Sequence, residues 1–375
     1  MSLILRIAAR NLAQDRVRGV ITVVGIVVSI VLVTVQLGLF LSFARMVTTM
    51  IDHAPPGLWI VPIGTKCFED PASLASRAGV RARAVPGVAA VVPVVIGFAE
   101  WTVPSGGTTP VFVIGSGKGG LRAWNLVAGH AHALRQPHAV AVDRTYFARL
   151  GIAGIGASTE IDRQAARVVA VTGGIRSFTT TPYVFATLTQ ARAYIGMPPG
   201  QVSYLLVRLA PGADAATVRA HLAATLPGAE VLTSAAFARR SRDFWLFGTG
   251  AGAALFAGAL LGAIVGTVIV AQTLYSSTKD HLAEFAILRA IGSSGAYIQK
   301  VIVCQALLSA VISFALAGAM GLAIMALTAG TALPILMTPL LTAGLFGLTV
   351  LMCVVSALAA IVQVMRMDPA RILLR

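Results

Sequence analysis

The stretch Thr278–Gly292, TKDHLAEFAILRAIG, decides how the chain is laid out. It is a short charge-bearing segment between two long apolar runs. Upstream, Phe244–Tyr275 carries no charge, and downstream neither does Val301–Leu327. Roughly 20 apolar residues suffice for a helix to cross a bilayer, so the segment between these runs sits in water or at a membrane surface. Ser277 and Asp280 make an S-x-x-D start signal. Gly292 is a natural stop, because glycine takes the left-handed conformation cheaply. Leu282, Phe285 and Leu288 lie close to one helical face. The pattern predicts one short helix within 276–293 that offers this face to a partner. A solvated loop helix with no partner fits the same spacing.

The composition agrees with a membrane protein. Of 375 residues, 57% are apolar and only 11% charged, against roughly 25% charged in ordinary soluble domains. The apolar excess collects in four uninterrupted runs. The net charge of +15 rests mostly on single arginines without aromatic interleaving, which argues against a nucleic-acid partner. Cys67, Cys304 and Cys353 form no C-x-x-C, and the six histidines are scattered, so no metal site is predicted.

In chain order, residues 1–18 place Leu3, Ile4, Ile7, Ala8 and Leu12 on one face, predicting a cytoplasmic interfacial helix. Residues 19–51 form the first membrane helix and a stalk. As one helix, Gly19–Ile51 would be roughly 50 Å long, well beyond a hydrocarbon core of about 30 Å. It has no cleavage site after it and reads as a signal anchor. Residues 52–240 regain proline, glycine and arginine. Gly57–Ile63, Val91–Val95, Val111–Ile114, Val168–Val171, Tyr204–Leu209 and Glu230–Thr233 read as strands, and Ala213–Thr225 as a helix. The predicted fold is therefore four transmembrane helices with a large α/β extracytoplasmic domain between the first two. Residues 241–275 are a second stalk and span, in which Gly258, Gly262 and Gly266 recur at i, i+4, i+8 and predict a close-packing helix face. Spans at 294–327 and 338–365 follow, joined by a short turn at 328–337, with a tail at 366–375. Gln36 and Gln305 are polar residues inside these spans.

Gly115–Gly120, GSGKGG, is half of a phosphate loop only. The full pattern needs glycine where Phe112 stands and Ser or Thr where Gly119 stands. The chain is read as binding no nucleotide, cofactor or metal. No catalytic set stands out, so it is read as no enzyme by itself.

Orientation follows from the short loops. The N-terminal tail, the 276–300 loop and the C-terminal tail together carry ten Lys or Arg residues, and the 328–338 turn carries none. Positive charge stays inside, so both termini are expected in the cytoplasm and the α/β domain in the periplasm, with the chain multi-pass in the bacterial inner membrane.

The layout, with HLAEFAILRAIGSS (281–294) after the second span, ARNLAQDRVRG leading into ITVVGI at the start and DPARILLR at the end, resembles the MacB/FtsX class of ABC transporter permeases. Within that class VIVAQTLYSSTKDHLAEFAILRAIG, LPILMT and QVSYLLVRLAPGADAATVRAHLAATLP are most similar to DevC-like permeases. The resemblance implies a permease homodimer working with an ABC ATPase subunit that uses the ATP. It also implies a periplasmic adaptor, an outer-membrane channel and a glycolipid or other lipid-like cargo drawn from membrane lipid. In that class the segment after the second span contacts the ATPase, which makes Lys279, Leu282, Glu284, Phe285, Leu288, Arg289 and Gly292 the expected coupling residues. Where relatives often carry a glutamate early in the third span, this chain has Gln305. The alternatives are an FtsX-like scaffold that controls a periplasmic hydrolase and a lipoprotein-extracting permease.

Overall fold

The structure is a computed structural model that describes residues 16–70, 72–280 and 295–365. The chain divides into two compact units. One holds the long helices, and the other runs from Ser42 to Gly252 with Gly330–Leu333.

Helix α1 (Arg16–Met46) opens the described chain. The predicted single helix through Ile51 is interrupted. Thr48 breaks the run and α2 (Thr49–Asp52) follows as one turn. The physical reason is local. Thr48 Oγ1 donates to Asp52 Oδ2 at 2.6 Å and lies 3.3 Å from the Arg45 carbonyl, which offers the backbone an alternative to the helical ladder.

The α/β unit is built on one mixed ten-stranded sheet. Its strands run β1 (Leu58–Pro62), β3 (Val88–Thr102), β4 (Thr108–Ser116), β5 (Leu126–Gly129), β6 (Ala139–Asp143), β7 (Ser158–Ile161), β8 (Gln164–Thr172), β9 (Tyr183–Thr187), β11 (Tyr204–Leu209) and β12 (Ala229–Thr233). A separate pair joins β2 (Leu74–Ala75) to β10 (Gln201–Val202). The main path is β12-β1-β11-β3-β4-β9-β6-β8-β5, with β7 paired to β3 and β8. Most contacts are antiparallel. β4–β9 and β6–β8 are parallel.

Successive strand residues point to opposite faces, and here both faces are covered. On one, Leu58, Ile60, Val95, Val113, Val142 and Leu205 pack with helices α3 (Arg77–Arg83), α5 (Leu188–Tyr194) and α6 (Ala215–Thr225). On the other, Trp59, Val61, Val94, Phe112, Tyr204 and Leu206 pack against α2 and α7 (Ser234–Asp243), through Met50, Ile51 and Phe237. A single-turn helix, α4 (Phe147–Leu150), ends at Gly151 in the left-handed conformation. Caps close the helix starts: Asp214 accepts from Thr217 N at 2.8 Å and Thr233 from Ala236 N at 3.1 Å.

After α7 the chain makes a π turn at Phe244–Gly248 and bends at Gly250, whose φ of 76° only glycine adopts cheaply. The predicted continuous helix from Phe244 is thus broken, and α8 begins at Ala251 and runs to Asp280. Then come α9 (Gly295–Thr328) and α10 (Pro339–Met365). Thr338 Oγ1 caps the start of α10 by accepting from Leu341 N at 3.2 Å.

Among the described residues four stretches are long and apolar enough to cross a membrane: Gly19–Met46, Ala251–Gln272, Gln299–Thr328 and Pro339–Ala359. Their shared core is Ile26 and Ile30 of α1, Val270 of α8, Ile302, Ala306 and Ala310 of α9, and Cys353 and Ala357 of α10.

Candidate functional site

The expected coupling residues fall at the edge of what is described. Helix α8 continues through Ser277 to Asp280, so Ser277 is not used as a helix start, and Lys279 stands in the last turn of α8. Leu282, Glu284, Phe285, Leu288, Arg289 and Gly292 lie outside the described residues.

The glycine face of α8 lies against α1. A Cβ at Gly258 would meet the Gln36 amide at 2.9 Å, and one at Gly262 would meet Leu32 and Val33 at 3.1 and 3.2 Å. At Gly266 it would meet Ser29 at 2.6 Å, and also Met352 of α10. Gly25 continues the contact, with Ile269 of α8 at 2.6 Å from its would-be Cβ. Small residues thus come from both helices, Gly25 and Ser29 answering the glycines. The signal in the sequence was the spacing Gly25-x-x-x-Ser29.

Inside the helical unit, hydroxyls turn back onto their own helix. Ser29 donates to the Gly25 carbonyl at 2.9 Å and Thr34 to Ile30 at 2.6 Å. Ser356 also reaches another helix, donating to the Thr267 carbonyl of α8 at 2.9 Å. Helix α9 carries the polar line Gln305, Ser309 and Ser313 at i, i+4, i+8, all buried. The Ser309 and Ser313 hydroxyls have no hydrogen-bond partner among the described residues. An apolar cavity of about 630 Å³ opens between α1, α9 and α10, walled by Ile30, Phe314, Leu322, Met337 and Phe346.

In the α/β unit Glu69 and Asp143 are buried acids, and Asp143 accepts from Thr172 Oγ1 at 2.9 Å and from Ile175 N at 2.7 Å. The Glu69 carboxylate accepts from Trp245 Nε1 at 3.2 Å and from the Tyr183 hydroxyl at 3.4 Å. Burial pushes its carboxyl up to about 7, against those stabilising hydrogen bonds. Burial and then the Glu69 charge push the Cys67 thiol up to about 12, which favours its protonated form. Trp245 packs on Phe178 at 4.5 Å between ring centres, and Phe178 on Phe43 at 5.2 Å. Glu69 therefore ties β9, through Tyr183, to the π turn that precedes α8. Sequence reasoning missed this residue, because a lone glutamate in KCFED carries no spacing signal.

GSGKGG closes a turn after β4. Gly117 N donates to the Pro93 carbonyl at 2.9 Å, and the chain leads on towards β5 rather than into a helix N-terminus that would receive phosphate. Among the described residues no group of three or more His, Cys, Asp or Glu is arranged to hold a metal ion.

An α/β unit inserted after the first of four membrane-crossing helices defines a multi-pass membrane protein with one large domain outside the bilayer. Residues 20–225 match the MacB-like periplasmic core domain family, and residues 256–369 match the FtsX-like permease C-terminal family. The first match alone spans more than half of the chain. The chain belongs to the MacB/FtsX-type permeases and is an ABC transporter membrane subunit, a transporter component rather than an enzyme. The family implies an ABC ATPase partner.

Among solved structures, the chain is similar to the periplasmic region of MacB from Actinobacillus actinomycetemcomitans, with 12% identity and a TM-score of 0.38 over 51% of this chain and 92% of that one. It is similar to the extracellular domain of the noncanonic ABC-type transporter YknZ from Gram-positive bacteria, with 14% identity and a TM-score of 0.36 over 48% and 99%. It is also similar to a domain of a Porphyromonas gingivalis chain described as a permease, with 14% identity and a TM-score of 0.33 over 47% and 89%. No curated protein matches the chain.

Proposed function

We propose that this permease works as a homodimer in the bacterial inner membrane and passes ATP-driven motion to its α/β domain in the periplasm, rather than carrying cargo through its helices. The observation that carries this reading is the joint one: a MacB-like core domain inserted after the first span and an FtsX-like C-terminal region in the same chain. The ten-to-zero distribution of Lys and Arg between the short loops supports cytoplasmic termini. The ATPase subunit binds and hydrolyses the ATP, and this chain holds no cofactor. A periplasmic adaptor and an outer-membrane channel complete the export route. The DevC-like stretches favour a glycolipid or other lipid-like cargo over the signalling and lipoprotein-extracting alternatives.

The ATPase docks on the cytoplasmic segment 276–293. Leu282, Phe285 and Leu288 fill a groove on the partner, Phe285 being the aromatic anchor. Lys279, Glu284 and Arg289 orient docking at the rim, where charge favours specificity and rate. Gly292 ends the segment. The test is co-purification of the membrane complex with mass spectrometry of its proteins and lipids. Wild type should bring down an ATPase and an adaptor. Phe285→Ala should weaken ATPase docking by roughly 2 kcal/mol or more at normal permease levels. Full retention of the ATPase by this variant sinks the anchor role, and a periplasmic hydrolase in place of the adaptor favours signalling.

A further inference from the structure

The stretch through which the chain approaches its second span is RRSRDFWLF, Arg239–Phe247, only a few residues before Ala251. Beside it lies a groove of about 560 Å³, whose walls include Lys66, Arg239, Arg240, Asp243 and Phe244. Arg240 is already engaged. Its guanidinium holds Glu230 at 2.7 Å and the Thr65 carbonyl at 3.3 Å, while Glu230 also accepts from Gly64 N at 3.2 Å. These bonds stiffen the groove and neutralise Arg240. Lys66 and Arg239 are exposed and have no ion-pair partner among the described residues. Asp243, also exposed, adds one negative charge.

The groove therefore offers two unneutralised cations and one anion, complementary to a headgroup with a phosphate and an ammonium. Its surroundings fit a membrane surface. The Lys66 ammonium lies 5.9 Å from the centre of the Phe244 ring, and Phe247 is 67% exposed. Exposed aromatic rings and arginines flanking a span are the residues that settle at headgroup level. Three residues separate Phe247 from Ala251, the first residue of that span, at most about 14 Å of chain.

We infer that this groove binds the headgroup of a zwitterionic aminophospholipid of the adjoining leaflet, Lys66 and Arg239 holding its phosphate and Asp243 its ammonium. The inference rests on the chain crossing a membrane and not on what the complex exports.

Native mass spectrometry of the full chain in detergent tests it, with phosphatidylethanolamine, phosphatidylglycerol and inorganic phosphate added in separate arms. Wild type should retain phosphatidylethanolamine over phosphatidylglycerol and should not hold inorganic phosphate. Lys66→Ala with Arg239→Ala should lower phosphatidylethanolamine retention by roughly tenfold or more, the scale of two interfacial cations. The charge-preserving pair Lys66→Arg with Arg239→Lys should keep it, which excludes misfolding as the cause. Asp243→Asn should abolish the preference over phosphatidylglycerol. Unchanged retention by the double alanine variant overturns the site. Equal binding of inorganic phosphate overturns the lipid as its ligand, and a wild-type preference for phosphatidylglycerol overturns the zwitterion.

Discussion

The two units of this protein use opposite solvents, and they solve the burial problem in opposite ways. In the α/β unit large side chains do the filling: Trp59, Trp101, Tyr183, Tyr204 and Phe112 are almost wholly enclosed. In the helical unit large apolar residues such as Val28, Leu261, Ile264, Val311 and Leu351 lie on the outside, while alanine, glycine and serine share the contacts with isoleucine and valine. Water rewards removal of apolar area. Lipid does not, so the helices gain by close backbone approach and by keeping hydroxyls bonded to their own carbonyls.

The largest expected effect tests the water-driven side. Trp59→Ala removes a ring that packs edge-on with Phe68, Tyr204 and Phe237. It should cost the α/β unit about 3–5 kcal/mol, read as a lower unfolding midpoint and faster proteolysis of that unit. A change within experimental error would mean that its core is not packed as described.

Next comes Glu69, the buried acid whose carboxyl burial pushes upward. The folded Glu69 carboxyl keeps its proton up to about pH 7, whereas an ordinary glutamate releases it near 4.5. Folded stability from this group is full below 4.5 and is lost as pH rises through 7. That gap corresponds to on the order of 3 kcal/mol. Glu69→Gln should therefore raise the unfolding midpoint at pH 8 and leave it nearly unchanged at pH 4. Equal effects at both pH values would show that the carboxyl is not held protonated.

The lipid side is sharpened by Gly262→Leu. The added side chain meets Leu32 and Val33, and forced overpacking typically costs about 1–3 kcal/mol. Weaker association of the helices, read as loss of thermal stability in detergent with the α/β unit still folded, is the expected result. Unchanged stability would reduce the stripe to ordinary membrane glycine.

The smallest effect concerns Ser309 and Ser313, whose buried hydroxyls lack partners among the described residues. Replacing either by Ala should be neutral or stabilising by up to about 1 kcal/mol. A clear loss of stability or of assembly would show that the hydroxyl is used by a second chain.

Legibility in the sequence also differed between the two units. The helical spans were plain from length and charge, and α9 and α10 begin within a residue or so of the expected starts at 294 and 338. Interruptions at Thr48 and Gly250 were not, because apolar character runs on through both. Among strands, β11 matches its expected bounds Tyr204–Leu209. β6 and β9 were missed: AVAVD is buried at all five positions, so it lacks the alternation that marks a half-exposed strand. The glycine face was visible as a repeat, but its opposing residues Ser29, Leu32 and Gln36 were not.

Taken alone, the amino-acid sequence determined the number of spans, the inserted α/β domain and the charge asymmetry, because a bilayer demands about 20 apolar residues per helix and sorts Lys and Arg by side. Only the tertiary structure decided that Glu69 meets Trp245, 176 residues away, that Lys66 joins Arg239 at one groove, and that the glycines of α8 face α1. Such pairings depend on sheet order and helix rotation, and these are set by packing between distant segments that no local pattern encodes.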